Sequence, residues 1–328
     1  MRAKARPWGQ TPVDKSWSTY PQGSDPILPA SIRVLERGWL SSNNIVLHDD
    51  AGTGTVVDTG YVTHGAQTVA LVRHALEGRR LGRLVNTHCH SDHIGGNAAL
   101  ARAFGCTIAI PAGEARNVAD WNTEALHLDG FGQRCERFAF DSTIAAGDTL
   151  TMGGFEWQAL AAPGHDMDSL VLYAPEPRLL ISADALWENG FGVLFPELYG
   201  EPGLEATRAT LDRIAMLDVA TVIPGHGAVF SEVGAALRRA YERLEAFRSD
   251  PERVTRNAFR ALIVFYLLDR QSARIDELAA LLEQASFFAM LNARSYRLEP
   301  GALAHKLVAE LAASGALRVD GEVVHPAS

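Results

Sequence analysis

Cysteine is scarce in this chain of 328 residues: there are three, Cys89, Cys106 and Cys135, far apart and odd in number. They offer no disulfide framework. No uninterrupted apolar run reaches the roughly 18 residues of a membrane span. Arg2, Lys4 and Arg6 make a basic start, but Trp8, Pro12, Pro21, Pro26 and Pro29 follow where a secretory leader would have its apolar core. Positive charge is in deficit, with 30 Lys+Arg against 39 Asp+Glu and a net charge of −9. Such a chain is a poor general binder of polyanions. These absences point to a cytoplasmic protein acting on a small molecule, with neither nucleic acid nor membrane as partner.

What is present is ample core material: 47 % of residues are apolar, enough for one large domain and a small one. The most informative segment is His88-Cys89-His90-Ser91-Asp92-His93, four metal-ligating side chains within six residues. Alternation along an extended segment points His88 and His90 the same way and turns Cys89 towards the interior as a packing residue. Asp92 and His93 follow at the turn. Arg83–Thr87 reads as a short strand leading in. The Ala-rich stretch from Ile94 through Phe104 reads as a helix starting just after the ligands, its N-terminus facing them.

The string resembles the signature of the metallo-β-lactamase superfamily, and the later segments fit that family in order. Pro163-Gly164-His165 closes an apolar strand, Leu179 to Ala183 runs into Asp184, and Val222-Ile223-Pro224-Gly225 leads to His226. Asp58, in Val56-Val57-Asp58-Thr59-Gly60, matches the aspartate that braces the family's ligand loop. The resemblance spans about residues 31 to 248. It implies an α/β fold, a four-layer αββα sandwich with the site at one edge of both sheets. It also implies two divalent ions, one held by His88, His90 and His165, the other by Asp92, His93 and His226, with Asp184 shared. Imidazoles and carboxylates without thiolate suit Zn²⁺ best, though Fe or Mn also fit. A hydroxide bridging the ions would be the nucleophile, with Asp92 orienting it. The other six histidines, His48, His64, His74, His127, His305 and His325, carry no motif and are expected at the surface or in packing.

Three segments are expected: an N-terminal arm over 1–30, a catalytic domain over 31–248, and a C-terminal domain over 251–328. Strands are expected at 148–152, 155–161, 169–173 and 178–183, and helices at 203–217 and 230–248. The stretch 112–140 has mixed signals and reads as an insertion over the mouth of the site. Beyond Ser249-Asp250-Pro251 three helices and a hairpin at Asp320-Gly321 suggest a winged-helix-like module, or else a helical cap. Its nine Lys+Arg balance nine Asp+Glu, which speaks against nucleic acid. In some branches of the superfamily such a module shapes the substrate mouth or joins two copies, so a homodimer is among the expected assemblies. The apolar Ser286–Leu291 segment is a candidate contact for either role.

The Gly95-Gly96 pair and acidic character resemble the glyoxalase II-like branch, which implies a thioester or carboxylic ester as substrate. Lactone or amide hydrolysis and endoribonuclease-like phosphodiester cleavage are the alternatives. Next to Asp184, the residues Trp187, Phe191 and Phe195 are expected to line an apolar substrate pocket.

Overall fold

The computed structural model describes residues 28–49 and 52–327. The arm expected over 1–30 therefore lies almost wholly outside the described residues. The chain divides into two compact units, with the cut between Ser249 and Asp250.

In the larger unit, valine, isoleucine and leucine on alternate positions build two facing sheets. The first contains β1 (Ile32–Leu35), β2 (Asn44–His48), β3 (Thr53–Val57), β4 (Arg80–Val85), β5 (Thr107–Pro111) and β6 (Ser142–Ile144), side by side in that order. Its first three strands are antiparallel and the rest parallel. The second runs β11 (Thr221–Pro224), β10 (Leu179–Ala183), β9 (Leu170–Ala174), β8 (Phe155–Ala161), β7 (Thr149–Met152), with only β10 and β11 parallel.

Side-chain alternation sorts the apolar residues between two cores. Ile45, Leu47, Val57 and Val85 face the other sheet and meet Trp157, Leu170, Leu172, Ile181 and Ile223. Val46, Val56 and Leu84 point outward instead, under α1 (Gly65–Ala75) and the helices that follow the histidine motif. Cys89 is buried with this outer group, as the alternation requires. Strand β10 is followed by α5 (Phe195–Leu198) and α6 (Gly203–Ala215), and β11 by α7 (Val233–Ser249). These ranges match the sequence reading to within a few residues. The short edge strand β6 carries no such signal and emerges only in the fold.

The expected helix after the ligands is broken in two. A single turn, α2 (Ser91–Ile94), carries Asp92 and His93 themselves, and α3 (Asn97–Phe104) begins after Gly95-Gly96. The glycines mark a close backbone crossing. A Cβ on Gly95 would lie 2.4 Å from the Val62 nitrogen, and one on Gly96 would lie 2.3 Å from the Thr59 carbonyl oxygen. The turn after β3 thus presses directly on the turn that bears two of the motif's side chains. The insertion holds one short helix, α4 (Ala115–Asp120), and irregular turns.

The smaller unit contains α8 (Glu252–Arg270), β12 (Ala273–Arg274), α9 (Ile275–Gln284), α10 (Ser286–Arg294), α11 (Pro300–Ala313), β13 (Leu317–Asp320) and β14 (Val323–Pro326). Its strands form a three-stranded sheet in the order β12-β14-β13. The hairpin turns through Gly321 and Glu322, with Gly321 at φ +59° as a tight primed turn requires. Sequence spacing suggests three helices here, but the described residues form four. Ser286–Leu291, the candidate contact segment, is the first part of α10. Phe288 stacks on Phe259 and Phe287 on Phe131, all fully buried in this unit, which includes residues 130–132 of the insertion. Phe287, Phe288 and Leu291 share one helical face, but in a segment of nine residues they make a single repeat, too short for periodicity to separate a helix from a strand.

Candidate metal centre

Five strands of the two sheets end at one edge, and each releases a functional side chain there: Asp58 after β3, the histidine motif after β4, His165 after β8, Asp184 after β10 and His226 after β11. All seven expected ligands are buried, and they fall into two groups whose donor atoms lie within 4.8 Å of one another: His88, His90 and His165; and Asp92, His93, Asp184 and His226. In the first, His90 Nδ1 is 2.7 Å from His165 Nε2. In the second, His226 Nε2 is 3.0 Å from Asp92 Oδ2.

Asp184 reaches both groups. Its Oδ1 lies 3.4 Å from His93 Nε2 and 3.9 Å from His226 Nε2, while its Oδ2 lies 3.4 Å from His165 Nε2. Two donors about 2.1 Å from one tetrahedral ion stand roughly 3.4 Å apart. The spacing therefore fits divalent cations. Buried nitrogens point to the same conclusion: His88 Nε2 and His93 Nε2 have no hydrogen-bond partner in the protein. Buried polar atoms are rarely left so, and an ion in each ligand group would satisfy them.

The opposite ring nitrogens are fixed by the protein. Asp58 accepts Thr87 N–H through Oδ1 at 2.9 Å, and through Oδ2 it accepts Thr87 O–H and His93 Nδ1–H, both at 2.8 Å. With its own proton given to Asp58, the Thr87 hydroxyl can accept from His88 Nδ1, 3.1 Å away. His165 Nδ1–H donates to the Val193 carbonyl at 2.5 Å. Each ring is thereby held with its other nitrogen toward the centre. Thr59 hydroxyl and the Asn86 amide both donate to the His93 carbonyl, and Asn86 and Asn97 pair side chain to side chain, pinning α2 in place.

Electrostatics follow from burial and neighbours. Burial and the surrounding imidazoles hold His88 and His90 well below the ordinary histidine range. For His93 burial opposes the charge, but the carboxylates of Asp58, Asp92 and Asp184 outweigh it and push the value up. Asp184 likewise resists burial, held as a carboxylate by His226 and His93. Beside them, burial and Asp166 raise Glu114 to about 9.

A profile of the metallo-beta-lactamase superfamily matches residues 37–226. The chain belongs to the metallo-β-lactamase superfamily. As a member it is a metal-dependent hydrolase. Among relatives, a hydroxyacylglutathione hydrolase of Methylococcus capsulatus is 28 % identical over 67 % of this chain and 79 % of its own length. One of Rhodobacter capsulatus is 33 % identical over 57 % of this chain and 63 % of its own. One of Rhodopseudomonas palustris is matched over only 58 % of its length. The fold agrees with a metallo-β-lactamase family protein of Thermus thermophilus, TTHA1429, at TM-score 0.54 and 19 % identity, covering 92 % of this chain and all of that one.

The aromatic residues expected to form a substrate pocket divide. Trp187 donates Nε1–H to Asp184 Oδ1 at 3.2 Å, and its ring lies edge-on to His226. Phe195 lies against His90, His127 and His165. Phe191 is 1 % exposed, packed on Phe247 of α7 with the Arg243 guanidinium over its ring. It lines a small cavity together with His165, Asp184 and Leu194.

Two residues at the centre have no motif to announce them. Trp39 stacks on His226 with ring planes 8° apart and meets Trp187 edge-on. His127, expected at the surface or in packing, brings Nδ1 to 3.0 Å from His90 Nε2. Burial and His165 lower it to about 3, so this ring is neutral. Both come from irregular loops, where spacing carries no signal. His48, in contrast, packs as expected, its Nε2 against the Ala75 carbonyl.

Proposed function

We propose that the chain is a two-metal hydrolase of thioesters or carboxylic esters whose acyl or alcohol part is apolar. The observation that carries this reading is Asp184, which turns one carboxylate oxygen to each of the two ligand groups. The names of the curated relatives support a thioester, and one solved neighbour of this fold, TTHA1623, was obtained in a di-iron-bound form.

His88, His90 and His165 would hold one ion, and Asp92, His93 and His226 the other, with Asp184 common to both. Bound there, divalent ions polarise an acyl carbonyl and lower the pKa of water towards neutrality. Asp92 would orient the attacking water and take up its proton. Asp58 and Thr87 keep His93 and His88 in the tautomers that leave Nε2 bare. Trp39 and Trp187 on the His226 side, and Phe195 on the His90 side, offer flat apolar surfaces to the substrate and exclude water around the reacting carbonyl. A thiolate leaves without help from an acid, which suits a site whose nearby carboxylates serve as ligands and braces.

The test is a panel of aryl and fatty-acyl thioesters, carboxylic esters, lactones, cephalosporins and RNA, assayed with Zn²⁺-, Fe²⁺- and Mn²⁺-loaded protein. Thioester or ester turnover that vanishes on chelation and returns with metal supports the reading. Turnover confined to RNA or to lactones would overturn it.

A further inference from the structure

Three of the histidines in the two ligand groups have an acceptor on the ring nitrogen that faces away from the centre: a hydroxyl for His88, a carboxylate for His93, a backbone carbonyl for His165. His90 differs. Its Nδ1 belongs to the ligand group, so its proton resides on Nε2, and that atom faces the Nδ1 of another imidazole, His127, at 3.0 Å. The carboxylate nearest the same atom, Asp166 Oδ2, is 3.7 Å away, beyond a hydrogen bond. Asp166 is moreover engaged elsewhere, through Oδ1 with the Asp168 N–H at 2.7 Å.

His127 is held firmly where it stands. Its backbone is in the left-handed region at φ +53°, with its N–H on the Glu124 carbonyl. Its ring stacks on His90 at 28° and on Tyr199 at 16°, and Phe195 closes against it at 5.0 Å between centroids. A ring placed on three sides by neighbours, with one nitrogen aimed at the outer nitrogen of a ligand, meets the geometric requirement for fixing that ligand's tautomer.

We propose that His127, supplied by the 112–140 insertion, is a positioning residue that accepts the Nε2–H of His90 and so sets the affinity of the His88–His90–His165 group for its ion. The inference rests on the two-metal reading above and adds a residue that the ligand motif does not contain. It also gives the insertion a purpose at the centre itself.

The experiment is a Zn²⁺ titration of the metal-stripped protein against a competing chromophoric chelator, with Co²⁺ absorption as a second readout of ligand geometry. His127→Phe keeps a flat ring for stacking but removes the acceptor. His127→Asn returns an acceptor close to the Nδ1 position, and asparagine tolerates the left-handed backbone. For His127→Phe we expect one ion bound about 10- to 100-fold more weakly and an altered Co²⁺ spectrum, the other ion being bound within about threefold of wild type. His127→Asn should recover most of the loss. Wild-type binding of both ions by His127→Phe overturns the inference alone, as does His127→Asn binding as weakly as His127→Phe. A wild-type protein that takes up no ion overturns the two-metal reading and this inference with it.

Discussion

Replacing Asp58 with asparagine should weaken both ions at once, although Asp58 belongs to neither ligand group. The carboxylate accepts three hydrogen bonds, from Thr87 N–H, Thr87 O–H and His93 Nδ1–H, at 2.8 to 2.9 Å. An amide has one acceptor oxygen, and its NH₂ must then face groups that are themselves donors. If the oxygen stays on Thr87 N–H, His93 can accept at Nδ1 only by moving its proton to Nε2, the atom aimed at the centre. Thr87 would lose the partner that directs its hydroxyl, and with it the acceptor that orients His88. Outer hydrogen bonds of this kind are worth about 10- to 100-fold in metal affinity, or roughly 1.4 to 2.7 kcal/mol. The larger effect is expected on the ion held by His93, which loses its direct partner. Asparagine is the informative substitution because Asp58 sits at φ +55°, where asparagine adds little strain and alanine more. The assay is competition for Zn²⁺ by a chromophoric chelator, with circular dichroism confirming that the variant folds. A folded Asp58→Asn protein that binds both ions with wild-type affinity would refute the reasoning.

Two further outcomes test the packing and charge around the site. Gly96→Ala should destabilise the fold by about 1–3 kcal/mol in urea unfolding, since the added methyl meets the Thr59 backbone at 2.3 Å. Gly105→Ala, with nothing within 4 Å, should cost only the roughly 1 kcal/mol of a left-handed alanine, and equal losses would contradict the crossing argument. Glu114→Gln should change the pH dependence of stability. Burial and Asp166 raise the folded value of Glu114 from 4.5 to about 9, so the native state holds a proton that the unfolded chain releases. Stability is then complete below pH 4.5 and declines as pH rises towards 9, by an amount on the order of several kcal/mol. The glutamine variant, neutral throughout, should melt like wild type near pH 5 and above it near pH 9. Parallel curves for the two proteins would rule this out.

Local spacing carried the ligand motif, the strand ends that follow it, and most element boundaries. His88 and His90 are two apart after a strand, and Asp92 and His93 lie within one turn, so their convergence needs only the backbone's own periodicity. His165, Asp184 and His226 were legible through the resemblance to the superfamily, which expects a ligand where each of these apolar runs ends; the fold brings those ends to a common edge. Helix α10 was not legible, since its nine residues hold only one helical repeat of apolar side chains.

What the chain order could not reveal is whatever depends on a loop's path through space. The split of Asp184's two oxygens between the ligand groups, the stacking of Trp39 on His226 and the approach of His127 to His90 join residues from separate loops, which no alternation rule governs. Periodicity acts over a few residues along the backbone. Contacts between irregular segments are decided by the packing of both sheets and the tight crossing at Gly95 and Gly96, and exist only once the fold has closed.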